Sequence, residues 1–310
     1  DRGVPVLRIG NPSRVNDKML SFTYERRFEG HPAYTELWGI RKSIREMGNR
    51  MRKSSYSERE AARSRINHLR ERATELEIQI NEDLFLGARV IASTLVSSNH
   101  RILTGRRFTT LFIDEAAQAL EAACWIAIRK ADRVIFAGDH CQLPPTIKCI
   151  EAARNGLEQT LMEKVAANKQ ETVSLLKVQY RMHQSIMQFS SEWFYQGELQ
   201  AAPEVTNRGI LDLDLPMSWI DTSEMEFHEE FVGESFGRIN KPEANLLLQE
   251  LEAYIRKIGE KRVLEERIDF GLISPYKAQV QYLRGKLKGC LFFRPFRSQI
   301  TIHTVDGFQG

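Results

Sequence analysis

Leu111–Gln118 reads LFIDEAAQ, an apolar run that ends in two adjacent carboxylates, Asp114 and Glu115. Asp132–Pro145 follows as DRVIFAGDHCQLPP, a second apolar run, tipped by Gly138 and Asp139 and closed by the rigid turn Leu143-Pro144-Pro145. Outward from this pair, ARVIAST precedes it, while TVSLL, MSWIDT, IDFGLISPY and SQITIHTVD come after. Amphipathic stretches intervene from about Ala117 and Gly156 and near His183, Pro242 and Lys277. Strands that alternate with helices predict parallel sheets and an α/β fold. The chain has 310 residues, which suits two domains. A polar, small-residue stretch at Ala166–Glu171 marks their border, so the expected units are 1–168 and 169–310.

Between these elements and the amino-terminal stretch lies a different pattern. Leu37, Ile40, Ile44, Met47 and Met51 recur at helical spacing, and so do Ile66, Leu69, Ala73, Leu76 and Ile80 after a polar break at Ser54, Ser55 and Ser57. Two such stripes predict an antiparallel helical hairpin over about 31–85 that buries one helix against the other. Net charge is only +3, but Arg41–Arg72 holds eleven Lys or Arg against four Glu, an excess of +7 that leaves −4 for the remainder. A solvated hairpin and one that grips a phosphate backbone through residues such as Arg41, Lys42 and Arg45 both fit that charge. With 42% hydrophobic and 27% charged residues the composition is that of a globular protein. No apolar run is long enough to span a bilayer and the start lacks a signal-peptide plan, so the expectation is a soluble, cytoplasmic protein without a membrane partner. Cys124, Cys141, Cys149 and Cys290 are scattered without a CxxC pair, which indicates neither a zinc cluster nor a disulfide framework.

At the carboxyl end of a parallel strand, side chains enter the crevice where α/β sheets bind ligands. There one carboxylate can hold a hydrated Mg2+ and its neighbour can orient or deprotonate an attacking water, which suits Asp114 and Glu115. Strands also exit into acidic helix starts for dipole reasons alone. Gln142, beside the second tip, can donate and accept at once and so sense a γ-phosphate or its attacking water. The same residues also make an ordinary turn. In VQYRMH, Val178–His183, Arg181 follows a strand, where a guanidinium can stabilise a transferring phosphoryl group, and Tyr180 can stack on a base. Taken singly, Tyr and Arg at a strand end also serve purely structural purposes.

Together, IDEAAQALEAACW, AGDHCQLPPT, VQYRMHQSIM, ISPYKAQV and TVDGFQG stand in the order and approximate spacing of motifs II, III, IV, IVa and V of superfamily 1B helicases. The chain resembles their Upf1-like branch over nearly its whole length. That resemblance implies two RecA-like parallel-sheet domains of the P-loop NTPase helicase fold. It also implies ATP and Mg2+ as cofactors, and single-stranded DNA or RNA as the partner of a monomeric motor running 5′ to 3′. On the matching positions, Asp114 corresponds to the magnesium-associated carboxylate, acting through water, Glu115 to the catalytic base, and Gln142 to the γ-phosphate sensor. Arg181 corresponds to an arginine finger and Tyr180 to the adenine-stacking ring. Gly138 and Asp139, with Gln309 and Gly310 at the end of motif V, fall to the nucleotide side. Thr94 in IASTLVSS, Pro275 and Tyr276 in SPY, and Thr304 in HTVDG match strand-contacting segments. Arg14, in VLRIGNPSRV, is placed near a phosphate, and the basic hairpin resembles the helical insertion of this branch's first domain.

No GxxxxGK[ST] occurs among the 310 residues, so the lysine and backbone cradle for the β and γ phosphates is missing from them. The expectation is a segment of a longer protein, extending in both directions and inactive on ATP by itself. A non-catalytic nucleic-acid-binding or scaffold module of helicase fold is the competing expectation. A P-loop GTPase or kinase is disfavoured, because one domain would suffice and VQYRMH would have no counterpart.

Overall fold

A computed structural model of the chain describes residues 3–51, 56–212, 214–233 and 237–309, without the side chains of Arg14 and residues 56–58. The chain divides into two units, Asp1–Thr172 and Val173–Gly310. The first contains, in order, β1 (Val6–Ile9), α1 (Tyr24–Glu29), α2 (Tyr34–Met51), α3 (Tyr56–Leu86), β2 (Val90–Ser93), β3 (Phe108–Ile113), α4 (Glu121–Ile128), β4 (Ala131–Phe136), α5 (Ile150–Ala152) and α6 (Leu161–Asn168).

β1 pairs with β2 and β3 with β4, both in parallel, the latter in the register Ile113↔Phe136. Alternation along β3 and β4 sends Ile113, Leu111, Val134 and Phe136 to one face, where they pack with Ala116, Cys124 and Leu161. α6 is fixed at its start by a capping box, with Thr160 Oγ1 accepting from the Glu163 amide and the Glu163 carboxylate accepting from the Thr160 amide. Lys164 of α6 reaches Glu121 of α4 at 2.7 Å, and this contact with the Trp125 indole holds the Glu121 carboxyl below the usual carboxylate range.

Leu37 of α2 is fully buried against Ala73, Leu76 and Ile80 of α3. It lies near the start of α2, whereas its partners lie far along α3. With only four residues between the helices, that contact requires them to run antiparallel. Tyr24 of α1 donates to Asn81 Oδ1 at 2.8 Å and ties the base of α3 to the rest of the unit.

The second unit contains β5 (Val178–Gln179), α7 (Gln184–Phe194), β6 (Gln200–Ala201), β7 (Glu230–Val232), β8 (Gly237–Ile239), α8 (Lys241–Ile258), α9 (Glu260–Glu265), β9 (Phe270–Ser274), α10 (Lys277–Gly289), β10 (Ile300–Thr304) and α11 (Val305–Phe308). β5–β6 and β9–β10 are parallel, and β7–β8 is antiparallel. Ala244, Leu248, Leu251, Ile255 and Ile258 place one stripe of α8 in a core shared with Leu272 of β9, with Val280, Leu283 and Leu287 of α10, with Phe293 and Phe296 of the turns that follow, and with Ile302 of β10. Asn240 caps α8 by accepting from the Glu243 amide, and the buried Gln279 of α10 binds the Asn240 backbone amide and carbonyl, each at 2.9 Å.

The α/β class with parallel strands therefore holds, with corrections in detail. Among the described residues the strands associate two by two rather than as one wide sheet in each unit. TVSLL is irregular and exposed, and the strand begins beyond it at Val178, where Gln200 and Ala201 supply a partner. MSWIDT is irregular too, with Trp219 exposed. β-favouring residues form a strand only where a neighbour satisfies their amides and carbonyls, and no neighbour among the described residues does so here. The helix expected from about Ala117 starts at Glu121, after a 3-10 turn over Ala116–Gln118, and the one expected from Gly156 starts at Leu161. Ala166–Asn168, expected in a border, completes α6.

Candidate functional site

The tips of β3 and β4 are tied together through the backbone. The Ala137 amide donates to Ile113 O at 2.8 Å and the Ala116 amide to Ala137 O at 2.9 Å, one bond on either side of Asp114 and Glu115. The approach is so close that a Cβ on Gly138 would lie 2.9 Å from the amide nitrogens of both Ala116 and Ala117. Only glycine fits at that position. Asp114 and Glu115 thus leave β3 directly beside Gly138 and Asp139 leaving β4.

Asp114 Oδ1 accepts from the Glu115 amide at 3.1 Å. Glu115 adopts φ 50°, ψ 40°, a left-handed conformation uncommon outside glycine, and its Oε2 accepts from Gln118 Nε2 at 3.0 Å. Asp139 organises the next turn, its Oδ1 accepting from the Cys141 amide at 3.0 Å and its Oδ2 from Gln142 Nε2 at 2.7 Å. The predicted sensor Gln142 is therefore held by the carboxylate at the β4 tip. Asp139, His140 and Cys141 also bring ligand atoms within 4.8 Å of one another. Burial first, and the Asp139 carboxylate second, push the Cys141 thiol up, which disfavours the thiolate that a metal would take. The hard oxygens of Asp114 and Glu115 suit Mg2+ better.

In the second unit, VQYRMH is shaped by one side chain. Gln179 Oε1 accepts from the amides of Arg181 at 2.8 Å and Met182 at 2.9 Å, while its Nε2 donates to Met182 O at 2.8 Å. Arg208 Nη1 donates to Arg181 O at 3.2 Å. Tyr180 is 66% exposed, and the Arg181 side chain is exposed as well. His183 caps α7 by accepting from the Ser185 amide at 3.0 Å.

Pro275 and Tyr276 follow β9, and Thr304 ends β10 opposite Ser274, so the three stand at neighbouring carboxyl ends of one parallel pair. The Arg238 guanidinium lies over the Tyr276 ring at 5.7 Å and over Phe231 at 5.4 Å. Gln309 closes α11, its amide donating to Val305 O, and Gly310 lies outside the described residues. Thr94 follows β2 and binds Ser97 through its hydroxyl at 2.8 Å. Arg14 ends a 3-10 turn opened by Asn11. Arg41, itself exposed, pairs with Glu77 across the α2–α3 seam, Lys42 lies 5.4 Å from the Trp38 ring centroid, and Arg45 is exposed.

Sequence reasoning passed over Gln118, Gln179, Arg208 and Arg238. For the first two a signal existed: Gln118 follows Glu115 by three residues, and Gln179 precedes Arg181 by two, both within reach of a turn-closing hydrogen bond. Arg208 and Arg238 come from distant segments and left no local trace.

Two family models, each described as an AAA domain, match residues 1–149 and 157–310. A Methanocaldococcus jannaschii protein named uncharacterized ATP-dependent helicase is 28% identical over 98% of this chain and 50% of its own length. DNA polymerase alpha-associated DNA helicase A of Saccharomyces cerevisiae is 32% identical over 98% of the chain and 48% of its own length. The Drosophila melanogaster regulator of nonsense transcripts 1 homolog is 34% identical over 77% of the chain and 20% of its own length. The chain thus carries two AAA-type helicase domains and belongs to the Upf1-like superfamily 1 helicases. It spans half or less of the length of each of these relatives. Among the described residues no helix is long and apolar enough to cross a membrane.

Proposed function

We propose that the chain is the core of an ATP-driven motor that moves 5′ to 3′ along single-stranded DNA or RNA, working as a cytoplasmic monomer with RecA-like domains over about 1–168 and 169–310. The observation that supports this most is the backbone-tied pair of strand tips, which presents Asp114, Glu115 and the Asp139–Gln142 pair side by side on a rigid frame. Asp114 would hold Mg2+ through water, since its Oδ2 has no hydrogen bond among the described residues. When bound, the ion neutralises charge on the phosphate oxygens. Glu115, oriented by Gln118, takes a proton from the attacking water, and Gln142, oriented by Asp139, senses the γ-phosphate. Arg181 supplies positive charge to the transferring phosphoryl group and Tyr180 stacks on the adenine. Gly138, Gln309 and Gly310 complete the nucleotide side. Thr94, Pro275, Tyr276, Thr304, Arg14, Arg41, Lys42 and Arg45 serve the strand, the last three from a helical insertion over about 31–85.

Because no GxxxxGK[ST] occurs in them, these 310 residues alone should hydrolyse little ATP. That same observation favours a second reading, a helicase-fold module that binds nucleic acid without catalysis. Glu115→Gln in the full-length protein separates the two: a motor keeps ATP affinity and loses about 10²- to 10⁴-fold in turnover. Equal, negligible turnover before and after the substitution favours the module.

A further inference from the structure

The α2–α3 hairpin has two unlike flanks. Two ion pairs cross its apolar seam, Arg41 with Glu77 and Glu36 with Arg72. At about 100° of helical turn per residue, Arg41 and Glu36 fall on opposite sides of the α2 stripe that carries Leu37, Ile40 and Ile44, and Glu77 and Arg72 on opposite sides of the α3 stripe. Each pair therefore labels one flank. Beyond Arg41 on its flank come Trp38, Arg45 and Lys42, and beyond Glu77 come Arg59, Arg63 and Arg70, all six exposed. Glu77 is already paired on that flank, and Glu60 and Glu71 sit at its outer margin. The opposite flank mixes signs through Glu36, Arg72, Glu75 and Arg65, and there Arg72 binds both glutamates.

Trp38 is 55% exposed on the basic flank, with the Lys42 ammonium 5.4 Å from its ring centroid. An indole left in water among cations has no part in the seam, which Leu37 and Ile40 already fill. We propose that this flank is a binding surface for single-stranded nucleic acid, with Trp38 stacking on an unpaired base while Lys42, Arg45, Arg63 and Arg70 neutralise the flanking phosphates. The chemistry selects this partner. Cations alone would suit any polyanion, but an exposed aromatic ring needs the free face of a base, which a duplex does not offer. Arg41, bound to Glu77, holds the flank together and adds to its positive charge. The inference rests on the motor reading for its ligand and assigns that ligand a face of the hairpin.

The test is equilibrium binding of fluorescein-labelled dT20 and U20 to the full-length protein across a salt series, with a 20-base-pair duplex alongside. Trp38→Ala is expected to weaken strand binding about five- to a hundredfold, the worth of one stacked base, while Trp38→Phe restores most of it. Replacing Lys42, Arg45, Arg63 and Arg70 by Gln should flatten the dependence of log affinity on log salt by about 0.7 for each phosphate no longer neutralised. Arg65→Gln on the mixed flank should leave that slope unchanged. Melting temperatures of the variants identify any that misfold, and the indole-to-phenyl swap keeps the stacking claim testable. Unchanged strand binding in both Trp38→Ala and the four-site variant overturns the proposal, as does an equal loss of duplex affinity on Trp38→Ala. If wild type itself binds neither strand, the motor reading fails first. If wild type binds and is stimulated while the flank variants match it, only this inference fails.

Discussion

The tips of β3 and β4 and the turn after β5 carry the groups proposed for phosphate chemistry, yet they are built by opposite means. At the first, two backbone hydrogen bonds and the missing Cβ of Gly138 set the geometry, so Asp114 and Glu115 are side chains on a frame that does not need them. At the second, the Gln179 amide group shapes the turn through three hydrogen bonds to the Arg181 and Met182 backbone. A backbone frame tolerates exchange of the reactive groups but not a change in packing, whereas a side-chain clamp fails with one substitution. The difference also suits the proposed roles, because a base and a metal-associated carboxylate need fixed positions throughout the cycle.

Gly138→Ala should have the largest effect. The new methyl would press on two backbone nitrogens that cannot rotate away, costing about 1–3 kcal/mol as overpacking, read as a lower midpoint in urea and as lost hydrolysis. Retention of both would show that the tips are not rigidly joined. Gln179→Ala should cost less, about 1–2 kcal/mol for its net hydrogen bonds, while the Arg181 and Met182 amides exchange faster with solvent. Unchanged exchange there would remove the contrast between frame and clamp. The smallest effect concerns acid. Glu121 in the first unit, held low by Lys164 and Trp125, and Asp214 in the second, held low by Lys257 and Tyr254, both have depressed folded pKa values. Their contribution is present above the ordinary carboxylate pKa of about 4 and is lost as pH falls through the depressed folded value. Asp214→Asn should therefore flatten part of the drop in melting temperature below about pH 4, and an unaltered profile would discount the Lys257 pair.

What local periodicity could carry was legible. The stripes Leu37 to Met51 and Ile66 to Ile80 state a helix period over several turns, and α2 and α3 follow them. FTTLFI, DRVIFAGD, IDFGLISPY and SQITIHTVD, apolar and bounded by turn formers, became β3, β4, β9 and β10. TVSLL and MSWIDT have the same composition and did not become strands, because pairing is decided by a distant partner that composition does not reveal. For the same reason the β7–β8 pair and the Arg238 stack over Tyr276 left no trace in the chain. In the site, the proximity of Asp114 to Asp139 follows from two adjacent strands that both end in acidic turns. The left-handed backbone of Glu115 and the exclusion of a Cβ at Gly138 emerge only when the two tips meet. The Arg41–Glu77 pair shows the limit most plainly: periodicity sets both residues on the hairpin but does not say that they bind each other across its seam.

The central claim is that the β3–β4 tips belong to a strand-stimulated ATPase. Its most direct test is steady-state ATP hydrolysis by the full-length protein as dT20 or U20 is added. The account predicts turnover that rises with strand concentration to a plateau, and a rate that stays flat with both strands would contradict it.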